Sequence, residues 1–210
     1  MAPKLHFFFS PGSCALGPHI LLHEANLAFA FTKIDVIAGF PDEYRHLNPK
    51  GRVPILHLDD ETVTEVPAIT TVIAQLSPSN KLLGSTPFET VRCYEWMNWM
   101  SSSLHGVAYG GVFRPHWFVD GEELYGMVQK KSLKRVEESY EYIEEKLEGR
   151  KWAVGEDFTA VDANLFVFYR WGTANGFKME EKFPNYARMA KEVAARPSVI
   201  KAAEEEGIEL

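Results

Sequence analysis

The pattern of secondary structure changes once along this chain of 210 residues, and that change most constrains the fold. Up to Leu76, short apolar runs alternate with helical patterns, whereas the residues after Pro87 contain no convincing strand. The segment between them is rich in Ser, Pro, Asn and Gly, a composition typical of linkers. The sequence therefore predicts an α/β domain over residues 1–77, a linker over 78–87 and an all-α domain over 88–210.

The first domain is predicted to follow the order β-α-β-α-β-β-α. Alternating and continuous apolar runs predict the strands Leu5–Phe9, Phe29–Ile37, Ile55–Leu58 and Thr62–Glu65, the last two joined by a hairpin turn. Helical spacing predicts the helices Leu16–Asn26, Pro41–Leu47 (a short helix or turn) and Ala68–Leu76. This order indicates a small mixed sheet with helices packed against it.

The second domain is predicted to be a helical bundle. Apolar spacing predicts helices over residues 88–106, 122–147, 185–195 and 199–205, and one that begins after Thr159. Because the 88–106 segment is apolar on most sides, we expect it to be central and buried. Thr159 and Asp162 have the spacing of a capping box. The acidic run Glu204–Glu206 is expected to be a solvated helix end.

Charge and cysteine content exclude several classes of function. The net charge of −7 argues against binding to nucleic acid or to an anionic membrane surface. No apolar run approaches the roughly 20 residues that span a bilayer, and we interpret the N-terminal apolar run as a strand, not a signal peptide. Cys14 and Cys93 lie far apart with no metal-binding spacing, so we expect free thiols, no metal and a cytoplasmic location.

The turn Ser10–Ala15 joins the first predicted strand to the first predicted helix. This places Ser13 and Cys14 at the helix N-terminus, where unpaired N–H groups and the helix dipole lower a thiol pKa. Cys14 is therefore a candidate nucleophile or thiol-binding group. The alternative is that the cysteine only packs.

Two junctions in the first domain are candidate binding elements. Val53-Pro54 is either a structural strand start or a cis-proline that leaves the Val53 backbone free to pair with an extended peptide. At Glu65-Val66-Pro67, Val66 falls at the expected N-cap, where it offers no acceptor. Either the true boundary is one residue away, or a ligand carboxylate occupies the helix start while Glu65 binds the ligand's ammonium.

In the second domain, a polar stripe runs along the first predicted helix. It consists of Asn98, Ser101, Ser102 and His105. The stripe is either a solvated face or the wall of a cleft between the domains, where His105 could donate a proton near neutral pH. The residues that follow are core or rim, or else an apolar second pocket with one cation: Tyr109, Phe113, Arg114 and Trp117.

Taken together, four separated motifs resemble the glutathione transferases. The segment Ser10–His19 is similar to the signature of the bacterial beta class, which uses cysteine, and Asn48–Pro54 is similar to the family's loop before its cis-proline. Thr159–Ala163 resembles the capping box of the family's helical bundle, and Trp96–His105 resembles the beta-class active-site helix. The resemblance covers nearly the whole chain in the right domain order.

The resemblance implies a thioredoxin-like N-terminal domain that binds glutathione as co-substrate, and a helical domain that builds the pocket for a hydrophobic small molecule. It also implies a homodimer with a detoxifying role. The catalytic residues that it implies are Ser13, Cys14 and His105. Those implied to bind glutathione are Phe9, Arg52, Val53, Pro54, Glu65, Val66 and Asn98. Those implied to contact the electrophile are Tyr109, Phe113, Arg114 and Trp117.

Three residues depart from the family pattern. Phe9 stands where many members have tyrosine, so tyrosyl activation of the thiol through this residue is excluded. Val66 replaces a small or hydroxyl residue, which removes a bond to the γ-glutamyl carboxylate and costs roughly 1–2 kcal/mol. Gly106 stands where beta-class proteins often have lysine. These departures are compatible with weakened glutathione binding or with a specialised reaction.

Three functions remain compatible with the sequence. The first is transfer of glutathione to an apolar electrophile, or its glutathione-assisted rearrangement. The second is monothiol chemistry, in which Cys14 forms a mixed disulfide with glutathione and acts as a reductase or isomerase. The third is non-catalytic binding of hydrophobic ligands.

Overall fold

The computed structural model describes residues 3–36 and 39–210. Within these ranges, no helix combines the length and the apolar character needed to cross a membrane.

The N-terminal part is built on a four-stranded mixed sheet with strand order β2-β1-β3-β4. The strands are β1 (Leu5–Phe9), β2 (Phe29–Lys33), β3 (Ile55–Leu58) and β4 (Glu61–Thr64). β1 pairs in parallel with β2 and antiparallel with β3, and β4 closes a hairpin with β3. The bounds predicted for β1 and β3 are confirmed.

β2 is shorter than the sequence predicts, because its partner ends. Phe9, the last residue of β1, pairs with Lys33, and one further bond joins the Ile34 N–H to the Phe9 carbonyl. Beyond this point the chain has no neighbouring strand to bond. The predicted end at Ile37 lies outside the described residues.

Two helices cover the sheet, α1 (Leu16–Glu24) and α2 (Val66–Leu76), and short 3₁₀ turns occur at Asp42–Tyr44 and Pro78–Asn80. α1 begins where the sequence predicts and ends two residues early, before Asn26, whose φ is +51°. A left-handed residue after the last turn commonly ends a helix. This mixed sheet with its helices is the predicted thioredoxin-like arrangement.

The C-terminal part is helical, and no strand occurs over residues 78–210. Its α-helices are α3 (Pro87–Trp99), α4 (Gly110–Phe113), α5 (Tyr125–Lys146), α6 (Ala160–Ala174), α7 (Met179–Lys182), α8 (Pro184–Ala194) and α9 (Pro197–Glu206). Short 3₁₀ turns lie at Pro115–Trp117 and Glu122–Leu124. The predicted order, an α/β part followed by an all-α part, is confirmed, while the domain limits at residues 77 and 88 stay predictions.

The predicted helix over residues 88–106 is not one regular α-helix. α3 continues as a π-helix, Met100–Tyr109, before α4 begins. Gly106 makes this wide turn possible, since a Cβ there would lie 3.0 Å from the Ser101 carbonyl oxygen, five residues back. π-turns of this kind are frequent at functional sites. One face of this segment is buried, at Cys93, Trp96, Met97, Met100 and Leu104, while the opposite face is exposed along its length. The expectation of burial therefore holds for one face only.

The capping box at the start of α6 is confirmed. The Asp162 carboxylate is fully buried and accepts bonds from the Thr159 N–H and the Ala153 N–H, each at 2.8 Å. The Thr159 hydroxyl donates to the same carboxylate at 3.0 Å. Asp162 thereby ties the preceding loop to the helix start.

The acidic run near the C-terminus is only in part the solvated end that the sequence predicts. Glu204 is exposed, but Glu206 is 3% exposed and accepts bonds from α1 and from the Gly12 turn. The expectation is wrong for Glu206, because α9 packs against α1 and brings its last turn into the interior.

We predict that Asp162→Asn lowers the free energy of unfolding by about 2–3 kcal/mol, because the amide leaves one buried N–H without an acceptor. Urea unfolding followed by circular dichroism measures the loss. Asp157→Asn, at an exposed position in the same loop, is the control and should change stability by less than about 0.5 kcal/mol. Equal losses in the two variants would contradict the role given to Asp162.

Candidate active site

The turn between β1 and α1 is held from both sides by the helical part of the chain. The Gly12 N–H donates to Glu206 Oε2 at 2.7 Å, and the Gly12 carbonyl accepts from Trp171 Nε1 at 2.8 Å. Gly12 has φ +70°, a left-handed conformation that glycine adopts without steric cost. These contacts fix the path of the backbone into Ser13 and Cys14.

Cys14 lies next to the first turn of α1, as predicted, but its thiol is not activated. Burial raises the pKa of Cys14 to about 12, although the nearby Arg114 charge acts in the opposite direction. Its Sγ lies 3.7 Å from the Val53 carbonyl oxygen, to which it can donate. The expected lowering of the pKa is therefore wrong, and Cys14 is a neutral thiol at physiological pH.

The neighbouring Ser13 takes part in the turn itself. Its hydroxyl oxygen accepts a bond from the Ala15 N–H at 3.2 Å, and its carbonyl accepts from the Leu16 N–H at 3.1 Å. The half-buried side chain keeps its hydroxyl hydrogen for a further acceptor. The described lining of the pocket next to Cys14 does not include it.

Cys14 opens into a pocket between the two parts of the chain, with about 320 Å³ of empty space that is partly open to solvent. The lining residues are Cys14, Val66, Met97, Met100, Ser101, His105, Asn164, Val167 and Phe168. The residues from α3 and α6 make one wall largely apolar, whereas Cys14 and Val66 supply the wall nearest the sheet. A polar thiol thus faces an apolar cavity, the arrangement that a thiol reaction with an apolar molecule requires.

His105 lines this pocket, but it does not titrate near neutral pH as predicted. Burial lowers the pKa of His105 to about 4, and the charges of Arg114 and Arg52 add to this lowering. Its ring packs edge-on against Trp171, with 5.2 Å between the ring centres. His105 is therefore a neutral imidazole that can donate or accept one hydrogen bond without a change of charge.

The sequence left two interpretations of the polar stripe that contains His105, a solvated face or the wall of a cleft, and each holds for part of the stripe. Ser101, although exposed, lines the pocket together with His105. Asn98 and Ser102 are exposed, and the Ser102 hydroxyl bonds to the Asn98 carbonyl at 2.8 Å. Ser101 and His105 therefore lie in the cleft wall, whereas Asn98 and Ser102 belong to a solvated face.

The peptide bond between Val53 and Pro54 is cis, as predicted. Pro54 is buried, whereas Val53 is half-buried and turns its carbonyl towards Cys14. The loop before it is closed by Asn48, whose Nδ2 donates to the Arg52 carbonyl at 2.6 Å. A backbone edge therefore borders the thiol.

The helix after β4 begins at Val66, and its N-cap is Glu65, one residue before the expected N-cap, so the mismatch at Val66 disappears. Glu65 is the N-cap residue, with φ +73°, and its side chain does not cap the helix. Instead Glu65 Oε1 accepts from Lys50 Nζ at 2.5 Å on the exposed surface. Glu65 thus already has a cationic partner from this chain.

Two residues expected to contact ligands are buried in the core. Phe9 has no exposed surface and packs against His19 and Phe31. Tyr109 is also fully buried, and its hydroxyl bonds to that of Tyr140. The predictions that Phe9 contacts glutathione and that Tyr109 contacts the electrophile are wrong, because both rings are buried in the hydrophobic core.

The remaining residues of the expected electrophile pocket form a rim. The guanidinium groups of Arg52 and Arg114 both pack over the Trp117 ring, each 4.6 Å from its centre. Phe113 is 45% exposed beside them. This stack joins the loop before Pro54 to the helical part, and it places two positive charges near Cys14 and His105.

Several residues of the site were not found from the sequence. Trp171 and Glu206 hold the Gly12 turn, and Asn164 and Val167 line the pocket. They lie more than 140 residues from the turn in sequence, and their helical spacing is that of ordinary core positions. Only the packing of α1 against α6 and α9 brings them to the site.

The thioredoxin-like sheet, the cysteine beside the first helix, the cis-proline edge and the helical domain are the features that the resemblance to the glutathione transferases implies. The comparisons agree. Residues 11–76 match the family model for the glutathione S-transferase N-terminal domain, and residues 116–197 match the model for the C-terminal domain. The chain belongs to the glutathione S-transferase family.

Similar proteins span the whole chain. Glutathione S-transferase GstA from Escherichia coli O157:H7 is 33% identical over 97% of this chain and 100% of its own length. The bacterial beta class glutathione S-transferase of Sphingomonas chungbukensis is 31% identical and superposes with a TM-score of 0.85 over 97% of this chain and 100% of its own. A sphingomonad glutathione S-transferase complexed with glutathione is 29% identical, with the same TM-score and the same coverage.

We predict that the His105 ring of the folded protein titrates with a midpoint near 4, which nuclear magnetic resonance of its Cε1 proton measures. His105→Gln identifies the signal. As the pH falls from 6.5 towards 4, the unfolded chain binds this proton before the folded protein does, so the wild type should lose stability relative to His105→Gln. A midpoint near 6.5 would contradict the desolvated position of the ring.

Proposed function

We propose that this protein transfers glutathione to an apolar electrophilic small molecule, by stabilising the glutathione thiolate beside Cys14. One observation carries the proposal. The Cys14 thiol, which lies beside the start of α1 and 3.7 Å from the Val53 carbonyl oxygen, lines a pocket whose opposite wall is largely apolar. Relatives of this chain include a glutathione S-transferase solved with glutathione bound.

The first step is binding of the glutathione backbone. The cysteinyl unit of glutathione pairs with the Val53 backbone as an added strand. Its N–H then occupies the Val53 carbonyl, which lies 3.7 Å from Cys14 Sγ in the structure. The Cys14 thiol hydrogen is thereby released and can turn to the glutathione sulfur.

The second step is stabilisation of the thiolate. Because the pKa of Cys14 is raised to about 12, Cys14 keeps its hydrogen and acts as a donor instead of a competing nucleophile. The positive end of α1 and the Arg114 charge favour the same thiolate. The Ser13 hydroxyl, one residue earlier in the turn, is a second donor. His105 can add a hydrogen bond from a neutral ring.

The third element is the γ-glutamyl end. The Val66 N–H at the start of α2 and the Glu65 carboxylate are placed to hold its carboxylate and its ammonium group. Lys50 already pairs with Glu65, and Val66 supplies no hydroxyl. Both features weaken binding of the γ-glutamyl group, compared with a site in which the acid is unpaired and the next residue is a serine.

The electrophile occupies the apolar wall made by Met97, Met100, Val167 and Phe168. There the thiolate attacks the electrophilic carbon and forms a carbon–sulfur bond. The electron pair passes to the leaving group, or to the acceptor of a conjugated double bond. Phe113, Arg114 and Trp117 cover the entrance, where aromatic rings and a cation are available to the substrate.

The same proposal includes a homodimer in the cytoplasm. Two free cysteines, one of them buried in the core, fit a reducing compartment. Light scattering of the purified chain tests the dimer.

We predict that Cys14→Ala lowers kcat/KM for 1-chloro-2,4-dinitrobenzene about ten-fold or more, because loss of one donor to the thiolate costs at least about 1.4 kcal/mol. Cys14→Ser keeps a donor and should retain most of the activity. Ser13→Ala should have the smaller effect, and the double variant Ser13→Ala/Cys14→Ala should collapse turnover.

The outcomes separate the rival functions. Unchanged turnover in the double variant contradicts the assignment of the site. Loss of activity in Cys14→Ser, together with a glutathione adduct on Cys14 that a reductant removes, favours monothiol chemistry. No heat of glutathione binding in calorimetry favours a carrier of hydrophobic ligands.

We predict that Val66→Ser tightens glutathione binding about ten-fold, since the hydroxyl adds a bond to the γ-glutamyl carboxylate worth roughly 1–2 kcal/mol. Calorimetric titration measures the dissociation constant. Val66→Ala, which is small but has no hydroxyl, is the matched control and should bind as the wild type does. Equal affinity in the serine and alanine variants would show that no ligand carboxylate reaches this helix start.

A further inference from the structure

Two histidines of α1 meet the last turn of α9 outside the pocket of Cys14. His19 Nε2 and His23 Nε2 both lie 2.8 Å from the same oxygen, Glu205 Oε2. His19 Nδ1 lies 3.0 Å from Glu206 Oε1. His19 is fully buried, whereas 9% of the His23 side chain and 23% of the Glu205 side chain are exposed.

The number of hydrogen-bond donors on His19 indicates a bound cation. A neutral imidazole carries one N–H, and each ring nitrogen of His19 faces a carboxylate oxygen. If Nδ1–H donates to Glu206, the Nε2 lone pair faces the Glu205 oxygen. Two acceptors at 2.8 Å repel each other unless a positive species lies between them. That species is either an additional proton or a metal ion.

We propose that His19, His23 and Glu205 bind a divalent metal ion of the zinc type, and that this ion joins α1 to α9. The ligands are His19 Nε2, His23 Nε2 and Glu205 Oε2. The ion takes the place of the proton between His19 and Glu205, and a water molecule completes the coordination from the solvent side. The proposal is independent of the proposed transferase activity.

The geometry fits such an ion after a small adjustment. The three ligand atoms lie within 4.8 Å of one another. Tetrahedral coordination at about 2.0–2.1 Å places ligand atoms about 3.3 Å apart, so the two 2.8 Å contacts need to open by about half an ångström. His19 and His23 are four residues apart and share one face of α1, the usual helical spacing of two histidine ligands.

The surroundings are those of a metal site. A histidine ligand commonly donates its other N–H to a carboxylate, which fixes its tautomer, and Glu206 has this position next to His19 Nδ1. Glu206 also accepts the Gly12 N–H, so the ion would stiffen the support of the turn.

The test uses the full-length, tag-free protein after removal of metals by a chelator. Isothermal titration with zinc chloride is expected to give one zinc ion per chain, and zinc should raise the melting temperature. Removing a residue that only hydrogen-bonds to a metal ligand lowers metal affinity about 10- to 100-fold. Removing a ligand itself, in Glu205→Gln or His23→Gln, should therefore lower zinc affinity by at least about 100-fold. Cobalt(II) should give the visible absorption bands of a tetrahedral complex.

Glu204→Gln is the matched control, since this acid is adjacent in sequence and exposed, and it should bind zinc as the wild type does. Circular dichroism verifies that each variant is folded. The proposal is overturned if the wild type retains no zinc after desalting, or if Glu205→Gln and His23→Gln bind it equally well. The first result would show that the cluster holds no metal, and the second that zinc binds elsewhere on the protein.

Discussion

The two hydrogen bonds of Gly12 are the contacts on which the site depends. The backbone of one residue in the first turn of the chain bonds to Glu206 on one side and to Trp171 on the other. A turn between a strand and a helix is ordinarily free to shift. Here the helical part of the chain fixes it, so the position of Cys14 relative to the apolar wall is a property of the whole fold.

Electrostatics then decide what the site can do. Burial keeps both Cys14 and His105 neutral at physiological pH, so neither supplies the charge that would stabilise a thiolate. In the proposed reaction that charge comes from the start of α1 and from Arg114, which packs with Arg52 over the Trp117 ring. A neutral donor next to fixed positive charge is preorganised for an incoming thiolate and needs no proton transfer of its own.

The sequence predicted what is local. The strand Leu5–Phe9, the cis bond before Pro54 and the capping box of Thr159 depend on residues that are close along the chain. It predicted less well what depends on packing. The resemblance to the family assigns Phe9 and Tyr109 to ligands, and nothing local in the sequence decides whether either ring is buried in the core. Glu206 was assigned to solvent because its partners are almost 190 residues away. The sequence did not predict the π-helix Met100–Tyr109, because Gly106 lies within an apolar helical pattern that looks the same for an α-helix.

The central claim is that the glutathione sulfur is held by the Cys14 thiol and the start of α1. A crystal structure with glutathione tests this most directly, through the distance from the glutathione sulfur to Cys14 Sγ. The account predicts that the two sulfur atoms are in hydrogen-bonding contact, with the cysteinyl backbone paired to Val53. A sulfur bound to the Ser13 hydroxyl and turned away from Cys14 would contradict it.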